Sequence, residues 1–343
     1  MLVIVAPGQG SQTPGFLSPW LELPGLADRL GRLSEVAGTD LVAHGTTSDA
    51  ETIKDTAVAQ PLIVGTGLVC LSALVRGTGT EAGDTPVLDL VGATAGHSVG
   101  EITAAAVAGV LTEGDAMAFV RERGRGMAEA SAAAATGMSA VVGGDPAEVL
   151  STLESLGLTP ANINGAGQVV AAGTLDQLSA LAEAPPSRAR VIPLQVAGAF
   201  HTRHMQPAVE RLSSHVRQLT PRDPSLPLVS NADGGVVDDG QEVLRRLVQQ
   251  VSSPVRWDLT METFASMGVT GLIELPPAGT LVGLARRGLR GVETLALRTP
   301  EDLDDALRMV RDHGRRRDTV GTDGSSRPAT QPPRLQHPQE DTP

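Results

Sequence analysis

Apolar positions fall in short blocks separated by turn residues, and the blocks switch between unbroken runs and a helical period. Leu2 to Ala6 is an uninterrupted apolar run stopped by Pro7-Gly8, the pattern of a strand buried on both faces. Val87 to Ala93 reads as a second buried strand, leading into Gly96-His97-Ser98-Val99-Gly100. Helical periodicity is expected over about 27–37 and 60–76, from near Val99 through an Ala-rich stretch, and over about 113–130.

The next segment has a different rhythm. Strands are expected over Met138 to Val142, around Asn162 to Asn164, over Gln168 to Ala172 and over Val191 to Val196. Asp145-Pro146 supplies an N-cap and a first-turn proline for a helix running to about Leu156. Thr174 with Gln177 makes a capping box for a second helix, to about Ala184. The order β-α-β-β-α-β predicts a ferredoxin-like subdomain. Beyond His201 the α/β pattern resumes: strands at 228–230 and 271–275, helices over 241–251 and 259–267. The expected fold class is therefore α/β: an α/β-hydrolase-like large domain with an inserted ferredoxin-like small subdomain. The large domain would span residues 1–130 and 197–312 and the insert 131–196. From His313 the chain turns to arginine, then Gly, Ser, Pro, Gln and Thr, so 313–343 is expected to be a disordered tail.

Composition changes this picture little. Hydrophobic residues make up 41% of the chain, enough for a packed core, but aromatics are only 2% and Tyr is absent, so core volume must come from aliphatic side chains. The net charge of −12 argues against nucleic acid as a partner, while local arginine clusters leave room for an acidic protein. Cys70 is alone, which removes disulfides and thiolate metal clusters; no metal site is expected. The apolar stretch from Val58 to Val75 contains Gln60, Pro61, Thr66 and Ser72, which favours a buried helix over a membrane span. With no targeting segment in view, a cytoplasmic protein is expected.

The candidate chemistry starts at Ser98. Gly96-His97-Ser98-Val99-Gly100 fits the G-x-S-x-G nucleophile elbow, in which a sharp strand-to-helix turn exposes the serine. Such a serine needs a base. Of seven histidines, His201 stands out for its place after the inserted unit, in Gly198-Ala199-Phe200-His201. His97, inside the elbow, suits packing or local hydrogen bonding. Arg121, Arg123 and Arg125 lie together in Arg-Glu-Arg-Gly-Arg, and spacing alone does not choose an anion-binding residue among them.

Taken in order, Gly8-Gln9-Gly10-Ser11-Gln12, Gly96 to Glu101, Arg123-Gly124 and Gly198 to His201 resemble the malonyl-CoA:acyl-carrier-protein transacylases of fatty-acid and polyketide synthesis. Asn162-Ile163-Asn164, Gly167 to Val170 and Gln250 to Pro254 extend the similarity, which covers roughly residues 1–300. The resemblance implies an acyltransferase with Ser98 as nucleophile and His201 as base. Main-chain N–H groups of Gln9 and Val99 would form the oxyanion hole, and the main-chain carbonyl of Gln250 would orient the histidine. Arg123 would bind the malonyl carboxylate. His97 and Asn162 would line the site. Ala-Phe-His accompanies malonyl choice in related polyketide acyltransferases and Ala-Ser-His methylmalonyl choice, which implicates Phe200 in specificity.

Glu101 is expected to complement the helix dipole, and Gln12 and Gln60 to serve packing or loop fixing. Malonyl-CoA and acyl carrier protein are the implied partners, with phosphopantetheine carried by the latter. No cofactor is implied, and a monomer is expected. Leu275-Pro276-Pro277-Ala278-Gly279 departs from the family's usual Gly-Pro-Gly turn. An ordinary α/β-hydrolase esterase, with triad order Ser, Asp or Glu, His, is the main competing reading, and a non-catalytic docking module the second. As a base, His201 predicts activity that falls as pH drops through the imidazole range.

Overall fold

The computed structural model describes residues 1–77 and 87–314. Among these, the strands are β1 (Leu2–Ala6), β2 (Val91–Gly96), β3 (Thr136–Gly143), β4 (Thr159–Gly165), β5 (Gln168–Thr174), β6 (Ala189–Pro193), β7 (Leu228–Val229), β8 (Val236–Val237), β9 (Val255–Arg256), β10 (Gly271–Glu274) and β11 (Glu293–Ala296). One mixed α/β assembly carries two sheets, ordered β11-β10-β1-β2-β7-β8 and β6-β3-β5-β4-β9.

The apolar run at the start of the chain becomes the middle of the larger sheet. β1 pairs in parallel with β10 on one side and β2 on the other. Helices cover both faces, so Leu2, Val3, Ile4 and Val5 are all fully buried and no alternation is needed. β2 starts at Val91, later than the apolar pattern suggests; Val87–Leu90 is a helical turn. The strand begins where burial does, since Asp89 is exposed and Val91 through Gly96 are buried. The long apolar helix Thr56–Gly77 lies inside the core, packed on helices Leu26–Ala37 and Glu113–Ala132. It opens one turn earlier than periodicity predicts, because the Asp55 carboxylate accepts the Ala57 N–H.

In the smaller sheet, β3, β4, β5 and β6 alternate with helices Pro146–Ser155 and Leu175–Glu183 in the expected order. Both caps form: the Asp145 carboxylate accepts from Ala147 and Glu148, and Thr174 and Gln177 close a capping box. Two features differ from expectation. β6 ends at Pro193 rather than Val196. β9 joins β4 in parallel from a segment far outside 131–196. At the other end of the chain, His313 closes helix Leu303–His313 and bonds Thr270 and Glu293, so order extends past the expected start of the tail. Residues 315–343, the rest of that tail, lie outside the described residues.

The unusual turn after β10 is organised by Glu274, which has no solvent exposure. Its carboxylate accepts N–H groups of Gly279, Leu281 and Val282 at 2.9, 3.0 and 2.9 Å, capping helix Thr280–Gly288 across the prolines. Burial pushes its carboxyl above the usual range, against those three donors. Glu274→Ala leaves the donors without an acceptor and is expected to cost about 3 kcal/mol of stability or more. Urea unfolding midpoints measure this; a loss under about 1 kcal/mol would show that other groups hold the turn.

Candidate active site

Ser98 sits where β2 gives way to helix Gly100–Val107, with φ of +53°, a left-handed conformation unusual for a side chain. The flanking glycines are demanded by space. A Cβ on Gly96 would lie 2.0 Å from main-chain atoms of Gly100, and one on Gly100 would lie 2.2 Å from the Ala6 carbonyl oxygen. Strand, turn and helix can approach this closely only without side chains there.

The structure brings His201 to Ser98. The serine hydroxyl lies 2.7 Å from His201 Nε2. His201 Nδ1 lies 2.8 Å from the main-chain carbonyl oxygen of Gln250. A carbonyl can only accept, so Nδ1 carries the hydrogen and Nε2 is left to accept the serine proton. A carbonyl stands where a hydrolase triad has its carboxylate. His201 is 2% exposed, with φ of +60°. Burial, then the nearby Arg123 charge, depress its pKa to about 3 despite the bond to Gln250. The limb expected in the ordinary imidazole range is thereby displaced to lower pH.

Of the three clustered arginines, Arg123 is the one turned inward. It is 1% exposed, while Arg125 is exposed and Arg121 bonds Glu122 and the Val36 carbonyl away from the site. Arg123 donates to Gln60 Oε1 at 2.7 Å, to Gln250 Oε1 at 2.8 Å and to Ser98 Oγ at 3.3 Å. Gly124 lets the two helices meet, since a Cβ there would lie 3.0 Å from the Thr56 carbonyl oxygen. Burial lowers the Arg123 pKa to about 10, opposed by the attraction of Glu101. It remains a cation at neutral pH, and every contact named here is to a neutral group. That is a site for an anion.

Glu101 does more than complement a helix end. It is 3% exposed, accepts the Asn231 N–H at 2.8 Å and takes a bond from Gln250 Nε2. Burial raises its pKa to about 7 against these donors and the Arg123 charge. His97 Nε2 donates to Asn164 Oδ1 at 2.9 Å and its ring lies 5.6 Å from that of Trp257. Asn162, two residues earlier on β4, is half-buried with an unpartnered Oδ1. Gln12 fixes the glycine-rich loop, accepting from Gly10 and donating to the Ile53 carbonyl. Gln9 donates through its side chain to the Lys54 carbonyl. The main-chain N–H groups of Gln9 and Val99 have no acceptor among the described residues. Phe200 is 6% exposed and belongs to the main core.

Sequence reasoning passed over Asn231 and Asn164, and did not foresee that the Gln60 and Gln250 side chains grip Arg123. Asn164 carried a signal: it shares a strand face with Asn162. Asn231, in Ser230-Asn231-Ala232-Asp233, reads only as turn chemistry.

With this geometry in view, the similarities to known proteins fall into line. The acyl transferase domain family matches residues 3–322. The chain belongs to that family. It is an acyltransferase. The malonyl CoA-acyl carrier protein transacylase of Mycobacterium tuberculosis is 50% identical over 305 residues, 89% of this chain and 99% of the relative. The crystal structure of MCAT from Mycobacterium tuberculosis superposes with a TM-score of 0.84 at 50% identity, covering 89% of this acyltransferase and 99% of that chain. A malonyl-transacylase solved in complex with its type II PKS acyl-carrier protein gives 0.80 at 28% identity, covering 90% and 99%.

Proposed function

We propose that this acyltransferase moves a malonyl group from malonyl-CoA to the phosphopantetheine thiol of acyl carrier protein, through a malonyl ester of Ser98. One observation carries the reading: a buried guanidinium ends 3.3 Å from the same hydroxyl that lies 2.7 Å from a histidine base. An acyl group on Ser98 that ends in a carboxylate has its counter-charge beside it. The names of the relatives support the substrate, and the acyl-carrier-protein complex of a relative supports the partner.

The steps follow from the atoms. His201 Nε2 takes the Ser98 proton as Oγ attacks the thioester carbonyl. The N–H groups of Gln9 and Val99 receive the oxyanion. Collapse expels the CoA thiolate, which takes the proton back from His201. The phosphopantetheine thiol then gives its proton to His201 and attacks the ester; Ser98 Oγ leaves, takes that proton from His201, and the malonyl thioester departs on the carrier. One thioester becomes another, so the exchange is near balance. No cofactor enters; the pantetheine arm belongs to the partner. Malonyl units delivered this way supply chain elongation in fatty-acid or polyketide synthesis.

In this reading residues 1–130 and 197–312 form the α/β-hydrolase-like part and 131–196 the ferredoxin-like part. The latter is supported by the order β6-β3-β5-β4, antiparallel throughout. The deciding experiment follows intact mass with malonyl-CoA and then with holo acyl carrier protein. An adduct that passes to the carrier is expected. No adduct, or free malonate released as fast as transfer, would overturn the proposal.

Arg123→Ala is expected to erase most of the preference for malonyl over acetyl. Breaking a buried ion pair costs about 3–5 kcal/mol, roughly two to four orders of magnitude in relative kcat/KM. Undiminished preference would mean that the carboxylate is held elsewhere. Phe200→Ser is expected to narrow the gap between malonyl and methylmalonyl by about tenfold, by relieving crowding at the α-carbon. An unchanged ratio would leave Phe200 as core packing alone.

A further inference from the structure

We propose that Asn231 is a positioning residue for acyl transfer: its side-chain amide clamps the turn that carries Ser98. The inference rests on Ser98 being the nucleophile, as proposed above. The elbow lies between two hydrogen-bond ladders, after β2 ends at Gly96 and before the helix starts at Gly100. Asn231 reaches both sides of that gap. Its Oδ1 accepts the Ser98 N–H at 2.8 Å, and its Nδ2 donates to the Gly96 carbonyl at 2.6 Å. A primary amide carries its donor and its acceptor on separate atoms of one planar group and so spans both sites, and Asn does so at the shortest length.

The amide is itself held. Asn231 is fully buried. Its N–H is fixed by Glu101, and its carbonyl accepts the Arg256 N–H at 2.8 Å. Gln250 Nε2 lies 3.3 Å from Asn231 Oδ1 and donates to the Ser98 carbonyl at 2.9 Å. Two buried amides therefore grip Ser98, one at its N–H and one at its carbonyl. The second of them also presents its main-chain carbonyl to His201. Nucleophile and base are registered to each other through this pair, in a turn whose left-handed Ser98 would otherwise relax. Misplacing a reacting atom by about 1 Å can cost about a hundredfold in rate, so the clamp belongs to catalysis as well as to folding. Asn231 makes no hydrogen bond to Arg123, the proposed carboxylate partner, and reaches it only through Gln250, so its loss falls on rate more than on affinity.

The test uses the full chain, malonyl-CoA, rapid quench and intact mass. Asn231→Leu is expected to lower the maximal acylation rate by about a hundredfold, with half-saturation moved by no more than about threefold. Asn231→Asp keeps the shape and the acceptor but loses the donor to Gly96. Its rate relative to wild type is expected to climb at least about tenfold between pH 8 and pH 5.5, as a protonated carboxyl regains an O–H to donate. The titratable groups facing this amide are Glu101 directly and, through Gln250, Arg123 and His201. All three are shared with wild type, whose profile is the reference. If Asn231→Leu does not fold, the pH ratio of Asn231→Asp decides alone. Wild-type rates in a folded variant, a loss confined to half-saturation, or a ratio flat with pH would each overturn the clamp. A wild-type protein that forms no adduct at all would instead remove the nucleophile reading beneath it.

Discussion

Ser98→Ala is expected to form no malonyl adduct and to lower transfer by about five to six orders of magnitude, the scale on which loss of a nucleophile acts in acyl transfer. Alanine keeps the Cβ and tolerates the left-handed turn no worse than serine does. The Ser98 N–H and carbonyl stay bonded to Asn231 and Gln250. The melting temperature is therefore expected to stay within about 3 °C of wild type, so lost chemistry cannot be ascribed to lost fold. The hydroxyl removed is the one that lies 2.7 Å from His201 and 3.3 Å from Arg123. An adduct detected by intact mass on the alanine protein would show that another side chain carries the acyl group.

How much of this was legible in the chain depends on how local each feature is. The apolar run of β1, the Asp145-Pro146 cap and the Thr174 capping box are written within a few residues, and each forms as read. β9 is two residues long and exists because β4 offers it an edge, so no periodicity announces it. β11 and helices Gln206–His215 and Thr280–Gly288 also went unread. At the turn after β10, the prolines drew attention, while the organising group was Glu274, a lone carboxylate at the end of an apolar strand.

The site divides the same way. The elbow is a local signal, and the ordered set of motifs pointed to His201, Arg123 and Gln250. The network joining them is not local. Asn231 meets Ser98 across 133 positions of chain, and Gln60 meets Arg123 across 63. An asparagine in a Ser-Asn-Ala-Asp turn looks like ordinary loop chemistry, and only the packed structure turns its amide toward the elbow. Glu101 was legible as a first-turn carboxylate but not as buried, because burial there depends on the segment after β7 closing over it.

His201→Ala is expected to slow acylation by about 10² to 10⁴, the range for a lost general base. The sharper test is pH. The neutral imidazole is the working form, so activity is present above its pKa and lost below it. That pKa is depressed to about 3, by burial first and by the Arg123 charge second. The acid limb of kcat/KM, which reports the free enzyme, should therefore lie well below pH 5. A malonyl carboxylate seated on Arg123 offsets the second cause, since a bound anion screens the imidazole from the guanidinium. The limb of kcat, which reports the loaded enzyme, should accordingly lie at higher pH than that of kcat/KM. Arg123→Ala removes the same charge permanently, so it should move the kcat/KM limb upward and shrink the gap between the two. Burial, the larger cause, survives that substitution, so the limb should still stay below the ordinary imidazole range. Profiles of both constants for wild type and Arg123→Ala, at constant ionic strength, carry the comparison. A wild-type kcat/KM limb near 6.5 would mean that His201 is solvated in the working enzyme. Coincident limbs in wild type would mean that the carboxylate and the base do not feel each other, and that Arg123 reads the substrate without tuning the histidine beside it.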